Sequence, residues 1–80
     1  MKNLKRGIYR HYKGKLYEVV GVAHHSETLE ELVVYRALYK TKFGIKSLWV
    51  RPLKMFIQKV KADGKSVQRF QYKSNRKALA

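Results

Sequence analysis

One short segment near the middle of the chain holds most of the residues that could bind a metal or transfer a proton. Its members are His24, His25, Glu27, Glu30 and Glu31. Two imidazoles and a carboxylate can bind a divalent cation or relay a proton if a loop turns them toward one point. Their spacing matches no ligand motif comparable to H-E-x-x-H, so a structural loop is the favoured interpretation and a metal or catalytic site the weaker one.

In the structural interpretation, hydroxyl groups and an ion pair hold these five residues, which we call the acidic loop. Ser26 or Thr28 closes its turn, and one of its glutamates pairs with Arg36 or Arg51. Arg36 shares a predicted strand face with apolar residues, where a buried guanidinium needs a carboxylate partner. The hydroxyls beside histidines do not indicate nucleophilic catalysis, because no flanking glycines form a nucleophile elbow. We therefore predict no catalytic residue, no cofactor, no metal site and no enzymatic activity.

A second chemical pattern places aromatic rings beside arginines. Two pairs are spaced two residues apart and would share a strand face, where a ring beside a guanidinium can stack a base and hold a phosphate. The predicted nucleic-acid-binding residues are these pairs and two nearby lysines: Arg10, Tyr12, Trp49, Arg51, Lys13 and Lys54. The alternative, which is the more common case in a domain with ten aromatic residues, is that the rings fill the core and the arginines extend past them.

Positive charge is the strongest compositional feature of the chain. Nineteen Lys and Arg stand against five Asp and Glu, for a formal net charge of +14. Residues 1–20 and 61–80 carry six basic residues each and residues 41–60 carry five, whereas residues 21–40 carry two beside three glutamates. Such a field attracts polyanions. The alternative is that the lysines only keep the protein soluble and its strand edges unpaired.

Length and residue usage exclude several other classes of protein. Eighty residues suit one domain with one modest core, which leaves little room for a deep catalytic cleft. The absence of cysteine excludes a disulfide framework and a thiolate zinc site. The longest uninterrupted apolar run, residues 32–35, is too short to cross a bilayer, and the basic start lacks the apolar stretch of a signal peptide. We expect a cytoplasmic monomer that does not bind membranes.

Alternating apolar residues and turn signals predict an all-β domain. Gly21 marks a bulge or sharp bend, the Asp63-Gly64 pair a hairpin turn, and Pro52 the start of a helical turn through Met55. The predicted strands are residues 8–12, 16–23, 31–39, 48–51, 56–60 and 67–72, with loops at 24–30 and 40–47.

The strand over residues 31–39 competes with a helix. Thr28 followed by Glu31 spells a capping box, which is typical of a helix start. Strand spacing instead places Val33, Tyr35, Ala37 and Tyr39 on one face, and it leaves the opposite face apolar as well. Helical spacing would place fewer apolar residues together on one face than strand spacing does. We therefore favour the strand and regard the capping box as accidental.

Four segments of the sequence resemble a known family. YRHYKG at residues 9–14, residues 17–39, LWVRPLKMF at 48–56 and RFQY at 69–72 are similar to short bacterial proteins catalogued as domain of unknown function 1653. The resemblance implies a small SH3-like barrel and no activity. The sequence departs from that family at Lys54, where relatives tend to carry an acid, so polyanion binding is an inference for this chain rather than for the family.

Together these patterns predict an all-β, SH3-like barrel of about five to six strands with one short helical turn. Residues 1–72 form the single domain and residues 73–80 a flexible basic tail. The predicted function is non-enzymatic binding of RNA or another nucleic acid, with little base specificity. The alternative is a protein-interaction module that uses the acidic loop or an exposed barrel edge.

Overall fold

The structure, a computed structural model, describes residues 4–75. Those residues form nine strands and one short helix. In chain order they are β1 (Gly7–His11), β2 (Leu16–His24), β3 (Glu31–Ala37), β4 (Lys40–Thr41), β5 (Gly44–Ile45), β6 (Leu48–Pro52), α1 (Leu53–Phe56), β7 (Lys59–Ala62), β8 (Lys65–Gln68) and β9 (Phe70–Ser74). The predicted all-β class and the single helical turn are therefore confirmed.

Five of the strands form one antiparallel sheet in the order β6-β3-β2-β1-β9, and the β4–β5 and β7–β8 hairpins form two further small sheets. Within residues 4–75 no backbone pairing joins β6 to β9, so the main sheet stays open. Side chains bridge the two edges instead, because the Arg51 guanidinium carbon lies 5.4 Å from the centre of the Phe70 ring. The SH3-like barrel that the family resemblance implied is thus not confirmed.

The period-two pattern of β3 determines which face of the sheet carries the core. Val33, Tyr35 and Ala37 are buried, whereas the residues between them are half-buried, so one face lies inside and the other is only partly covered. Direct pairing with Tyr35 places Val19 of β2, which is buried, and Trp49 of β6, which is exposed in part, on the same face. We call this side the inner face and the opposite side the outer face. The strand prediction for this segment is confirmed, although β3 ends at Ala37 rather than at residue 39.

The helical turn α1 covers the inner face. Its Phe56 ring is 1% exposed and stacks on Phe70, with 4.1 Å between ring centres and 4° between ring planes. The Tyr9 and Tyr35 rings approach Phe56 at 5.5 and 5.6 Å. Pro52 is the last residue of β6 and the N-cap of the helix, so the helical turn begins and ends one residue later than predicted. The core is therefore largely an aromatic cluster under one short helix.

Two of the predicted strands differ from the observed ones. Residues 56–60 were expected to be a strand, but Phe56 belongs to α1 and β7 begins at Lys59. Residues 67–72 were expected to be continuous, but the chain breaks at Arg69. Its N–H donates to the Gln58 carbonyl and its own carbonyl accepts from Tyr12 N–H, so β8 pairs with β7 and β9 with β1. The predicted loop at 40–47 contains the β4–β5 hairpin.

Other local predictions are confirmed. Asp63 and Gly64 connect β7 to β8 with φ of 52° and 76°, the two positive values that a tight hairpin turn requires. The register of β2 against β3 shifts between Val19 and Gly21, which is the predicted bulge. β9 continues through Ser74, two residues into the predicted tail, and residues 76–80 lie outside the described part of the chain. The longest helix within residues 4–75 has four residues, so none there could span a membrane.

Candidate nucleic-acid interface

A chain of aromatic rings crosses one end of the inner face. The His11 ring lies 4.6 Å from Tyr12, 4.9 Å from Phe70 and 6.4 Å from Tyr17, measured between ring centres. Tyr17 continues the chain to Tyr39 at 5.5 Å, and the two hydroxyls form a hydrogen bond. Burial, followed by this hydrogen bond, raises the pKa of Tyr17, so its hydroxyl stays protonated and can hold the Tyr39 ring in place.

Three basic side chains lie over rings of this chain. The Lys13 ammonium is 5.8 Å from the Tyr12 ring centre and the Lys15 ammonium is 4.9 Å from that of Tyr39. Arg51 lies over Phe70, as described above. We call the whole set the aromatic–basic rim; its members are His11, Tyr12, Lys13, Lys15, Tyr17, Tyr39, Arg51 and Phe70. Cations over ring faces are the components of a surface that contacts both phosphates and bases.

Burial and nearby positive charges lower the pKa of His11. Burial is the first cause that lowers the pKa of His11 from its ordinary value of 6.5. The charges of Arg51, Arg69 and Lys13 lower the pKa further, in that order. Folding therefore favours the neutral imidazole of His11 relative to the unfolded chain.

This lowered pKa predicts how His11 affects stability as a function of pH. Below about pH 6.5 the unfolded chain binds a proton at His11 more readily than the folded protein does. The free energy of unfolding should therefore fall as the pH drops through and below that value, and His11 should contribute no such slope above it. Urea unfolding of His11→Gln between about pH 7.5 and 5 should show a shallower decline than the parent protein. An identical slope in both proteins would contradict this role for His11.

The structure brings together only part of the predicted binding set. Tyr12, Lys13 and Arg51 lie in the aromatic–basic rim. Arg10 pairs with Leu16 and Gln71 on the outer face, and Tyr12 lies beyond the end of β1, so these two do not share a strand face as predicted. Both line one open depression of about 560 Å³ against the β7–β8 hairpin.

Trp49 and Lys54 lie outside the aromatic–basic rim. Trp49 shares the inner face with Arg51 as predicted, and it is 37% exposed, with its indole N–H donating to the Ser47 hydroxyl at 2.9 Å. Its ring contacts Phe43 edge to face at 5.6 Å. Lys54 lies on α1 beside Glu30 in a separate shallow groove, because α1 turns away from the end of β6.

The acidic loop is held by its own backbone and side chains. His25 Nδ1 accepts the N–H groups of Glu27 and Thr28 at 3.1 and 3.3 Å, and the Thr28 hydroxyl accepts Glu30 N–H at 3.2 Å. Closure of the turn by Thr28, one of the two predicted hydroxyls, is confirmed. His24 lies on β2 opposite Glu31 of β3. Within residues 4–75 no three His, Asp or Glu side chains converge in a way that could hold a metal ion.

The predicted partner of Arg36 is wrong. Arg36 Nε lies 3.5 Å from Glu18 Oε1, and these two residues are directly opposite each other on β3 and β2. Among residues 4–75 this is the ion pair that forms, and neither Glu27, Glu30 nor Glu31 lies within ion-pair distance of Arg36 or Arg51. The turn at residues 25–30 keeps Glu27 and Glu30 beyond the end of the sheet, and Glu31 lies opposite His24. Cross-strand register instead places Glu18 beside Arg36.

Sequence patterns do not indicate several residues of the interface. His11, Lys15, Tyr17, Tyr39 and Phe70 come from four separate segments, and the pairing of neighbouring strands brings them together. One signal was available for Lys15, because it ends the predicted turn two residues after Lys13. No spacing rule links Tyr39 to Tyr17 without the β2–β3 register.

Comparisons with known proteins agree with this architecture. A family model described as a protein of unknown function, DUF1653, matches residues 7–72. The crystal structure of a protein of that family from Bordetella bronchiseptica is similar to this chain, with a TM-score of 0.80, 35% sequence identity and 90% of each chain covered. Among curated proteins, none matches the chain. The family resemblance noted in the sequence is confirmed.

Proposed function

The chain belongs to the DUF1653 family, whose function is unknown, and from the chain's own geometry we propose that it binds single-stranded RNA or another nucleic acid without enzymatic activity. The observation that carries this proposal is the aromatic–basic rim, in which three cations lie over the rings of Tyr12, Tyr39 and Phe70, the last of them buried. Tyr12, 38% exposed, offers a ring face to a base, and Lys13, Lys15 and Arg51 offer charge to phosphates.

The overall charge supports the same class of ligand. A formal net charge of +14 attracts any polyanion over a distance, and the rim then supplies short-range contacts. Stacking on rings tolerates every base, so we propose little base specificity. We also propose that the protein acts as a monomer in the cytoplasm, where RNA is available.

The experiment measures binding of a fluorescent oligouridine RNA by anisotropy over a range of salt concentrations. Each phosphate contact should contribute about 0.7 to the slope of log affinity against log salt. Tyr12→Ala should weaken binding about 5- to 150-fold, because stacking contributes about 1 to 3 kcal/mol per base. Arg51→Gln should also weaken binding more than Lys61→Gln, a matched loss of one exposed charge on β7. Trp49→Ala should do the same, because Trp49 shares the inner face with Arg51 although it lies outside the rim.

Circular dichroism must first show that each variant folds, above all Trp49→Ala. If all four substitutions weaken binding equally in folded protein, the affinity comes from net charge and the rim has no special role. Weak dependence on salt would reject nucleic-acid binding as a whole.

A protein-interaction module is the second candidate. Its acidic-loop form rests on a groove of about 260 Å³ that Glu30 and Glu31 share with Lys54, Leu53 and Ile57. Both signs of charge line this groove, so it offers a strongly charged partner little net attraction. In the other version of this candidate, the edge strand β6 would bind the protein partner.

A further inference from the structure

The two edges of the main sheet differ in how they face water. β9 presents Gln71 and Lys73 as exposed residues, and polar or charged side chains are a common protection of an edge strand. β6 presents Leu48 and Val50, which are 63% and 60% exposed. Within residues 4–75, β6 pairs only with β3, so its second side offers backbone groups that no strand in the described chain satisfies.

Apolar exposure continues next to this edge. Phe43, 64% exposed, contacts the ring of Trp49 on β6. On the outer face, Val34 of β3 lies directly opposite Val50 and is half-buried. Exposed apolar residues gathered along an unpaired strand are typical of a surface that binds another chain.

The charges that flank β6 indicate whether its free edge would bind a second copy of this chain or a different protein. Lys46 precedes the strand and Arg51 lies near its end. A second copy paired antiparallel about the centre of Leu48 and Trp49 would bring Lys46 of one chain near Arg51 of the other, and a parallel copy in register would place the two Arg51 side chains together. Like charges at such positions oppose pairing, and each chain also carries a net charge of +14. A second copy is therefore disfavoured.

We propose that β6 binds an extended acidic segment of another protein as an added strand. Strand alternation specifies the composition of that segment. Its residues on the outer face would be apolar and pack beside Leu48 and Val50, and its residues on the inner face would be acidic and meet Arg51. A nucleic acid cannot supply the peptide groups that this edge would pair with. The site shares Arg51 with the aromatic–basic rim, but it does not rest on the nucleic-acid proposal.

A capped peptide of alternating valine and glutamate is the probe. We expect it to shift the amide NMR signals of β6 and to slow their hydrogen exchange. Val50→Lys, a solvent-exposed position on this edge, should weaken binding at least tenfold, whereas Gln71→Lys on β9 should change it less than twofold. The same peptide with N-methyl groups at alternate residues cannot pair with a strand and should not bind.

Several results would overturn the proposal. They are no binding of the valine–glutamate peptide at millimolar concentration, equal binding of a valine–lysine peptide, equal binding of the N-methylated peptide, and unchanged binding by Val50→Lys. Sedimentation that shows a dimer of the parent protein and a monomer of Val50→Lys would assign the edge to a second copy and would also overturn it. Val50→Lys should still bind oligouridine as the parent protein does, so failure of the edge site and failure of the rim are separate results.

Discussion

Replacing Phe56 with alanine is expected to lower the free energy of unfolding by about 3 to 5 kcal/mol, the usual cost of removing a buried phenylalanine. The ring is 1% exposed and stacks on Phe70 between Tyr9 and Tyr35, so alanine would leave a cavity at the centre of the aromatic core. A domain of this size is stable by only about 4 to 12 kcal/mol. Urea unfolding followed by circular dichroism measures the loss directly.

Ile57→Ala is the matched control, because the next residue along the chain is 55% exposed. We expect its effect to stay within about 0.5 kcal/mol, as for most surface substitutions. Equal losses from the two variants would show that α1 does not anchor the core. If Phe56→Ala is unfolded without denaturant, Phe56→Leu should restore a measurable transition of intermediate stability, because leucine refills part of the cavity.

Gly7→Ala is expected to lower the free energy of unfolding by about 3 kcal/mol, for two separate reasons. The residue has a φ of +141°, where a side chain costs about 1 to 3 kcal/mol of backbone strain. A Cβ at this position would also lie 2.5 Å from the Ser74 carbonyl oxygen, so β1 and β9 would have to move apart. Overpacking of that kind adds about 1 to 3 kcal/mol. Thermal or urea unfolding gives the total.

Two other glycines separate these causes. Gly14 has a φ of +107° but open space where its Cβ would lie, so Gly14→Ala should show the backbone strain alone. Gly21 has open space and no positive φ, so Gly21→Ala should be neutral or stabilise the protein by about 0.4 to 1 kcal/mol. A loss in Gly7→Ala no larger than in Gly14→Ala would mean that the β1–β9 contact is not tight.

Local patterns were sufficient to predict most of the strands. Alternation in residues 31–37 and the Asp63-Gly64 turn each depend on neighbours in sequence, and both predictions hold. The break at Arg69 has no glycine or proline to mark it, because it arises from hydrogen bonds to Gln58 and Tyr12 in other elements. A four-residue helix is too short to show helical periodicity, so Phe56 was assigned to a strand.

The candidate site was less predictable because it depends on the register between strands. Spacing placed Trp49 and Arg51 on one face correctly, but whether Arg10 faces inward depends on how β1 pairs with β2. The ion pair of Glu18 with Arg36 likewise follows from β2–β3 register, which a bulge shifts along the same strand. Composition indicates that the protein is basic, but not which cations meet which rings.

The pairing of β1 with β9 also determines how the domain would unfold under mechanical tension. The two strands are antiparallel, with Ile8 opposite Ser74, so the chain enters and leaves the sheet at the same corner. Tension applied through the flanking segments would load the ladder at that corner and break its hydrogen bonds one after another, like a zipper, rather than all at once. Unfolding under load would therefore begin where Gly7 lies against Ser74. Strand β9 would separate from β1 before force reached the pairing among β1, β2, β3 and β6.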